Sequence, residues 1–513
     1  MPIPLLRTLS ACLIWLGMSS WGYAQSQGEQ LPFKDLRVRL SYEQMPLRDF
    51  ADMGLVGIGV DAFGLVPALP RLYLGLGSYS ATVGQFGGLF TFGGQVGYAP
   101  FLHPKWLLDV GFFLGGGGGA AAPDGDGIAV RPHVALEYRV GQAGIRGEIV
   151  HHNFLTGSLS GTYAALGLSL NTRFLYAPTK STTWHTPAPA QHRLAVSFLN
   201  YHLREGSVVR PDYDYDQLVG LLGIQYDYFL AKHLYATLEL YGAGLGGIDG
   251  YMSYLLGAGL TTNSQNRLSA ELRGLAGNSG GGAVLTGGGL TLQAELALNL
   301  NLWQGYFLRA SAGETFAPDG KLSARHFEVG FGMRSFNYLA VKAKPTLLIP
   351  SDSLKSGQTE IYFGHQQYLA PQGITDKNQL PYRDMGLLVM GARRYLRSWL
   401  SLAGQTRWAY LGGDYGAYAE GLLGLGLHKQ VLRQRTLEIS LPLYLGAGGG
   451  GGIDRGSGIH LEYGLSLAYA YNDWKLIGGL SQISSPNGNY QPLTWQVGCA
   501  YLMPTLTRIS QKR

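Results

Sequence analysis

The sequence predicts an all-β protein: an antiparallel, up-and-down transmembrane β-barrel made of three tandem repeats of about eight strands each. Three observations predict it: period-two alternation of apolar and polar residues, threefold internal repetition, and a composition rich in glycine and aromatics but poor in charge. Of 513 residues, 46% are hydrophobic and only 14% charged, with 77 glycines and 32 tyrosines. Beyond the N-terminal segment no apolar run is long enough to be a membrane helix. The formal charge of +6 comes from 39 basic and 33 acidic side chains spread along the chain. With no basic run and no aromatic-basic interleaving, a nucleic-acid interface is excluded.

The repetition is ungapped over three segments, Gly127–Tyr138, Gly289–Leu300 and Gly458–Tyr469. Each opens on glycine, continues with an aliphatic residue, and then places an apolar residue at every other position. A glycine cluster precedes each one: Gly115 to Gly119, Gly280 to Gly282 and Gly448 to Gly452. Alternating runs before the clusters start at Trp106, Arg267 and Thr436, and the copies open at Leu36, Leu194 and Glu360. Downstream, runs from Gly144, Gly305 and Trp474 align, as do those from Tyr163, Phe327 and Trp495. The expected organisation is a signal peptide over 1–24, repeats over 25–174, 193–336 and 359–503, linkers over 175–192 and 337–358, and a C-terminal tail over 504–513.

Each strand is predicted from its alternation. From Leu290 to Leu302 every second residue is Leu or Ala, while Thr291, Gln293, Glu295, Ala297, Asn299 and Asn301 share the other face. Strand side chains point alternately to opposite sides, so each run has one apolar face and one polar or small face. A membrane barrel turns the first to lipid and the second to its lumen. A soluble sandwich also alternates, but the connections favour the membrane. Tight turns such as Gly141-Gln142-Ala143 alternate with long loops, as periplasmic turns alternate with external loops.

The N-terminus agrees with export. Arg7, the apolar run Leu9–Met18 and Gly22-Tyr23-Ala24 form a signal-peptide pattern with a mature start at Gln25. A lipoprotein reading around Cys12 fails because the apolar run follows that cysteine. Losing Cys12 with the signal leaves Cys499 alone, so no intrachain disulfide forms. The last strand carries Gln496-x-Gly498-x-x-Tyr501-x-Met503. This resembles the C-terminal motif by which barrel-assembly machinery recognises outer-membrane clients, and the whole pattern resembles bacterial outer-membrane β-barrel proteins in general. The resemblance implies a bacterial outer-membrane location, surrounding lipid and the assembly machinery as partners, with no cofactor.

Two architectures satisfy these observations: one barrel of about 24 strands, which is favoured, or three separate eight-stranded barrels. The proline-containing linkers are what three barrels would need. The distinction matters because eight strands enclose a side-chain-filled interior, whereas a much larger barrel holds water or a plug.

Lumen-lining candidates are Arg37, Arg39, Glu43, Asp109, Arg131, His133, Glu137 and Arg139 in the first copy, with Gln293, Glu295, His460 and Glu462 in the others. The first copy's opposed charges imply an ionic network; the third copy, with Gly464, Ser466, Ala468 and Ala470 on one face, reads as blander. The glycine clusters are read either as close backbone packing or as a mobile gate, with Gly115, Gly117, Gly280, Gly448 and Gly450 as gate candidates.

Catalytic and metal constellations are sparse, and none is assigned. His151 and His152 near Ser158 or Ser160 point to opposite faces, and nothing aligned repeats them. Gly277-x-Ser279-x-Gly281 lacks the strand-turn-helix setting of a nucleophile elbow. Gly242-x-Gly244-x-Gly246 has no following helix. Asp212, Asp214 and Asp216 alternate as in calcium loops, but Gln217 stands where the turn glycine belongs. The leading functional expectation is a gated conduit or pore. A structural or surface-interaction protein of small closed barrels comes second, and an outer-membrane hydrolase third.

Overall fold

Alternating residues with β-branched and aromatic side chains form long strands, and each strand needs hydrogen-bonding neighbours on both edges. In the computed structural model every repeat meets that need by closing on itself. The structure describes residues 33–47, 50–175, 183–186, 190–210, 213–264, 266–303, 305–337, 347–350, 354–431, 436–471 and 473–508. The signal-peptide residues and Asp212 lie outside them. The described residues form 26 strands, and no helix among them is long and apolar enough to cross a membrane.

The first barrel contains eight strands from Phe33 to Leu175, each paired antiparallel with its sequence neighbours. It closes by pairing Phe33–Met45 with Ser160–Leu175, from Phe33↔Leu175 to Glu43↔Ala165. The second closes between Ala190–Leu203 and Ser323–Asn337. The third closes between Leu354–Leu369 and Leu493–Arg508, so its last strand runs on through residues read above as a tail.

The favoured single barrel of about 24 strands is therefore not what the structure contains. One wide barrel would require the last strand of each copy to ladder with the first of the next. No such ladder occurs among the described residues; the one bridge between barrel strands, Asn337↔Thr507, joins the last strands of the second and third copies. Pro178, Pro187, Pro189, Pro345 and Pro350 fall between the copies, and proline has no N–H with which to continue a ladder. The linkers pair with one another instead, Thr183–Thr186 against Leu347–Pro350.

The repeats match in register as well as in sequence. A bulge interrupts the ladder between the second and third strands of each barrel, at Gly54/Leu55, Gly220/Leu221 and Gly386/Leu387. Each lumen has an apolar cluster at its long-loop end. Met45, Leu55, Phe86 and Leu159 contribute in the first barrel, Leu199, Leu221 and Ile248 in the second, and Tyr368, Leu387 and Tyr415 in the third. Below these clusters the interiors are polar. Outside, the walls are apolar and open: Leu166 is 71% exposed, Ile149 67% and Leu296 67%.

Candidate functional site

The polar faces converge into a separate ionic core in each barrel. In the first, Arg37 donates from Nε to Asp61 and from Nη2 to Asp109, both at 2.9 Å. Arg146 reaches Asp109 at 2.7 Å, while Arg131 pairs with Glu43 at 2.5 Å and Glu148 at 3.1 Å. Arg39 holds Asp61 at 2.8 Å, and His133 lies 3.6 Å from Asp109. Arg139 donates to Glu137 at 2.8 Å nearer the rim. The eight candidates from the first copy thus stand inside one filled lumen. Sequence reasoning missed Asp61, which is wholly buried between Arg37 and Arg39.

The second barrel repeats the arrangement. Arg193 and Arg309 share Asp227 and Glu271 at 2.6–3.2 Å. Arg273 pairs with Glu239 and Glu295, and Gln293 donates to Glu239 at 3.1 Å. Glu239, Glu295 and Glu328 present oxygens within 4.8 Å of one another, a spacing that could hold a metal ion. Arg273 and the Gln225 amide, which donates to Glu239 and Glu328, already occupy those oxygens.

The third copy is not bland. Arg407 holds Glu420 at 2.9 Å and Glu462 at 2.5 Å, while His460 and Arg455 approach Glu420 at 3.1 and 3.4 Å. The expectation of an ionic network confined to the first copy is corrected. The small residues Gly464, Ser466 and Ala468 follow His460 and Glu462 on one strand, and the remaining charges, Arg407, Glu420 and Arg455, come from other parts of the barrel.

One register position is inverted. Arg37↔Asp61 and Arg193↔Asp227 are cross-strand pairs at the same place in the first two barrels. The equivalent pair in the third is Glu360↔Arg393.

The glycine clusters do not hang as free loops. Gly115 to Gly118, Gly280, Gly448 and Gly449 end barrel strands; Gly116, Gly118, Gly280 and Gly449 face neighbouring barrels across seams, while Gly115, Gly117 and Gly448 lie against their own barrels. A Cβ on Gly88 would stand 2.9 Å from Gly281 N, one on Gly250 2.9 Å from Gly450 N, and one on Gly416 2.7 Å from Gly125 O. The contacts run first to second, second to third, and third to first barrel, closing a ring. Backbones approach this closely only where no side chain intervenes. Of the gate candidates, Gly280 and Gly450 stand at these seams, and Gly115, Gly117 and Gly448 pack against backbone or side chains of their own barrels. At the ring's centre Phe90, Trp408 and Ala419 pack with Phe92, Met252 and Tyr254, drawn from all three barrels.

The weaker motifs resolve simply. His151 points outward to Thr162, 2.8 Å away, while His152 is buried inside, as adjacent strand residues must be. Ser279 lies in a paired strand rather than a loop, its Oγ 2.5 Å from Thr291 Oγ1. Asp214 accepts the Asp216 N–H at 2.9 Å in a local turn.

No family model matches the chain, and no curated protein matches it. Among the solved structures that match are two from Pseudomonas aeruginosa. The siderophore receptor PirA is 10% identical at a TM-score of 0.27, over 93% of this chain and 82% of that one. OccK5 (OpdH) is 10% identical at a TM-score of 0.23, over 92% and 98%. On its own geometry this chain is an antiparallel β-barrel protein three times over, with filled lumens and glycine seams.

Proposed function

We propose that this is a bacterial outer-membrane protein whose three barrels are closed wall elements, locked side by side to hold a rigid looped surface outside the membrane. The observation that carries this reading is the state of the lumens. Each is blocked by an apolar cluster at one end and by paired charges below it, as eight-stranded barrels generally are. The exposed apolar walls enclosing ionised interiors support placement in lipid, since a soluble β-protein would bury the former. Long loops face outward and tight turns face the periplasm.

A narrow conduit is the second reading. Asp109 Oδ1, Arg131 Nη1 and Glu137 Oε2 are buried without a hydrogen-bond partner in the protein, so the first network has alternative pairings through which an opening could form. Planar-bilayer recording of the purified protein separates the two. The platform reading expects no steady conductance from wild type or from Arg37→Met; reproducible single-channel steps from wild type would replace it with the conduit.

Sidedness has its own test. In a Cys499→Ser background, cysteines at exposed Leu155 and Glu205 are expected to react with an impermeant maleimide on whole cells. One at Gln142, in a tight turn, should react only after the outer membrane is opened. Equal labelling of all three would refute the orientation.

A further inference from the structure

The third barrel departs from its two siblings at one level of the lumen, near the tight-turn end. In the first two barrels a buried tyrosine, Tyr73 or Tyr235, sits across from Phe63 or Phe229. Each tyrosine ring lies under the arginine of the conserved ion pair, at 4.9 Å from Arg37 and 4.7 Å from Arg193. The ring has room because its cross-strand neighbour is glycine: a Cβ on Gly97 or Gly259 would be 2.2 Å from it.

The third barrel keeps the glycine, as Gly426, but replaces the tyrosine with Ser401. Two residues beyond Gly426, where the siblings have Ala99 and Thr261, stands His428. On the next strand, aligned with Leu107 and Ser269, stands Glu438. These substitutions meet in space. Ser401 Oγ lies 2.6 Å from His428 Nε2, and His428 Nδ1 lies 2.9 Å from Glu438 Oε1. All three residues are buried. A Cβ on Gly426 would stand 2.9 Å from Ser401 Oγ and 2.8 Å from His428 Nε2, so the glycine again makes the room.

We propose that Ser401, His428 and Glu438 form a nucleophile–base–acid triad, making the third barrel an esterase that takes small carboxylic esters from the periplasmic side. The three roles follow from the geometry. A serine hydroxyl is a poor nucleophile until a base within hydrogen-bond reach accepts its proton, and the base acts well only when a third group orients its ring. His428 uses one ring nitrogen for each partner. Glu438 is itself fixed, receiving hydrogen bonds from Tyr395 Oη at 3.0 Å and Lys475 Nζ at 3.2 Å. The packed ring of Tyr395, 5.0 Å from that of His428, holds the imidazole from one side.

In the reaction, Ser401 Oγ bonds to the ester carbonyl carbon as its proton passes to His428 Nε2. The carbonyl–alkoxy bond then breaks, and the alcohol leaves with that proton. Water adds to the acyl-serine, giving its proton to His428, and the carboxylic acid departs as Ser401 regains its hydrogen. No oxidant, metal or cofactor enters the balance. Ser401 is wholly buried, so on this proposal the ester enters by displacing the tight-turn rim, where the side chains of Lys475 and Arg393 are 12% and 14% exposed. The inversion to Glu360↔Arg393 belongs to the same change, since an arginine at residue 360 would lie where Lys475 and Tyr395 now meet.

The test uses the full-length protein in detergent micelles with a fluorophosphonate probe and p-nitrophenyl acetate. One phosphonate adduct is expected per chain, located at Ser401 by peptide mass spectrometry, together with saturable release of p-nitrophenolate. Ser401→Ala should abolish both. His428→Gln should lower turnover by about 10³-fold or more, with heat-modifiable gel mobility retained as the sign of a closed barrel. Failure of Ser401→Ala to fold would shift the decision to Ser401→Cys in the Cys499→Ser background. There the thiol should be alkylated by iodoacetamide at pH 6 faster than a cysteine at Ser440. No adduct on Ser401, turnover unchanged in Ser401→Ala, or equal alkylation of the two cysteines would each overturn the proposal. Loss of the platform reading would leave these outcomes unaffected.

Discussion

Asp124 shows how a single side chain reports on a seam. It lies in the loop after the first glycine cluster, where its Oδ2 accepts the Gly119 N–H at 2.7 Å. A Cβ on Gly416 of the third barrel would be 2.9 Å from its other oxygen. Burial pushes its pKa up from 3.8 to about 6, against the opposing pull of the Gly119 hydrogen bond. The charged form is therefore the one that the folded seam disfavours. The resulting stability is fully present below about pH 4 and is lost as pH rises through about 6, a change on the order of 2–3 kcal/mol. Asp126 and Asp414, joined by the Asp414 N–H at 3.0 Å, are the acidic neighbours across the same seam. Urea unfolding in lipid vesicles should give a higher midpoint at pH 4.5 than at pH 7 in wild type. The difference should shrink in Asp124→Asn, and an unchanged pH slope in that variant would rule the assignment out.

The same scale shows what a sequence conceals. Arg37, Asp109 and Glu43 were legible as lumen residues because alternation assigns each to a face. The bridging of Arg37 and Arg39 by Asp61 was not, since that carboxylate meets them only across strands. Ser401, His428 and Glu438 sit on three strands in unremarked contexts. The available signal was the ungapped repeat itself: aligning Ser401 with Tyr73 and Tyr235 exposes a small polar residue where two large rings are kept.

At the scale of elements, strands were the most legible feature, because period-two alternation over 11 to 16 residues has no other reading. Closure was not legible, since alternation says which face a residue takes but not which edge a strand joins. The glycine clusters admitted two readings for a related reason: composition presents them as flexible, and only a facing backbone shows where they pack. That gives them a steric signature. Gly416→Val would drive a side chain into Gly125 and Gly127 of the first barrel, whereas nothing lies within 4 Å of a Cβ on Gly421, five residues away. Overpacking of this kind costs roughly 1–3 kcal/mol. Gly416→Val should therefore lower the urea midpoint and Gly421→Val leave it nearly unchanged; equal effects would show that the seam carries no packing.

For the whole molecule the question is what holds three barrels together. Two candidates exist: the covalent linkers, whose one paired element among the described residues is Thr183–Thr186 with Leu347–Pro350, and the ring of seams with its apolar centre at Phe90, Met252 and Trp408. The seams are the stronger candidate on physical grounds. Between helices in lipid there is little hydrophobic drive, so association rests on close approach of small residues and on interfacial polar contacts. The same reasoning applies between barrel walls, and the structure shows both features. Glycine meets glycine backbone at each seam, Gly416 N–H donates to Gly125 O at 3.1 Å, and Lys377 of the third barrel pairs with Asp249 of the second. A ring adds a further constraint, because each barrel is held by two neighbours and cannot leave without opening two seams. A protease site inserted at Ser181 and cut in the folded protein should therefore leave the first barrel bound to the rest. The two fragments are expected to migrate together in non-denaturing detergent gels and to part only on heating. Adding Gly416→Val and Gly88→Val, which obstruct both seams of the first barrel, should release it at the same detergent concentration. Release from the cut protein with its seams intact would mean that the linkers, not the glycines, make this chain one molecule.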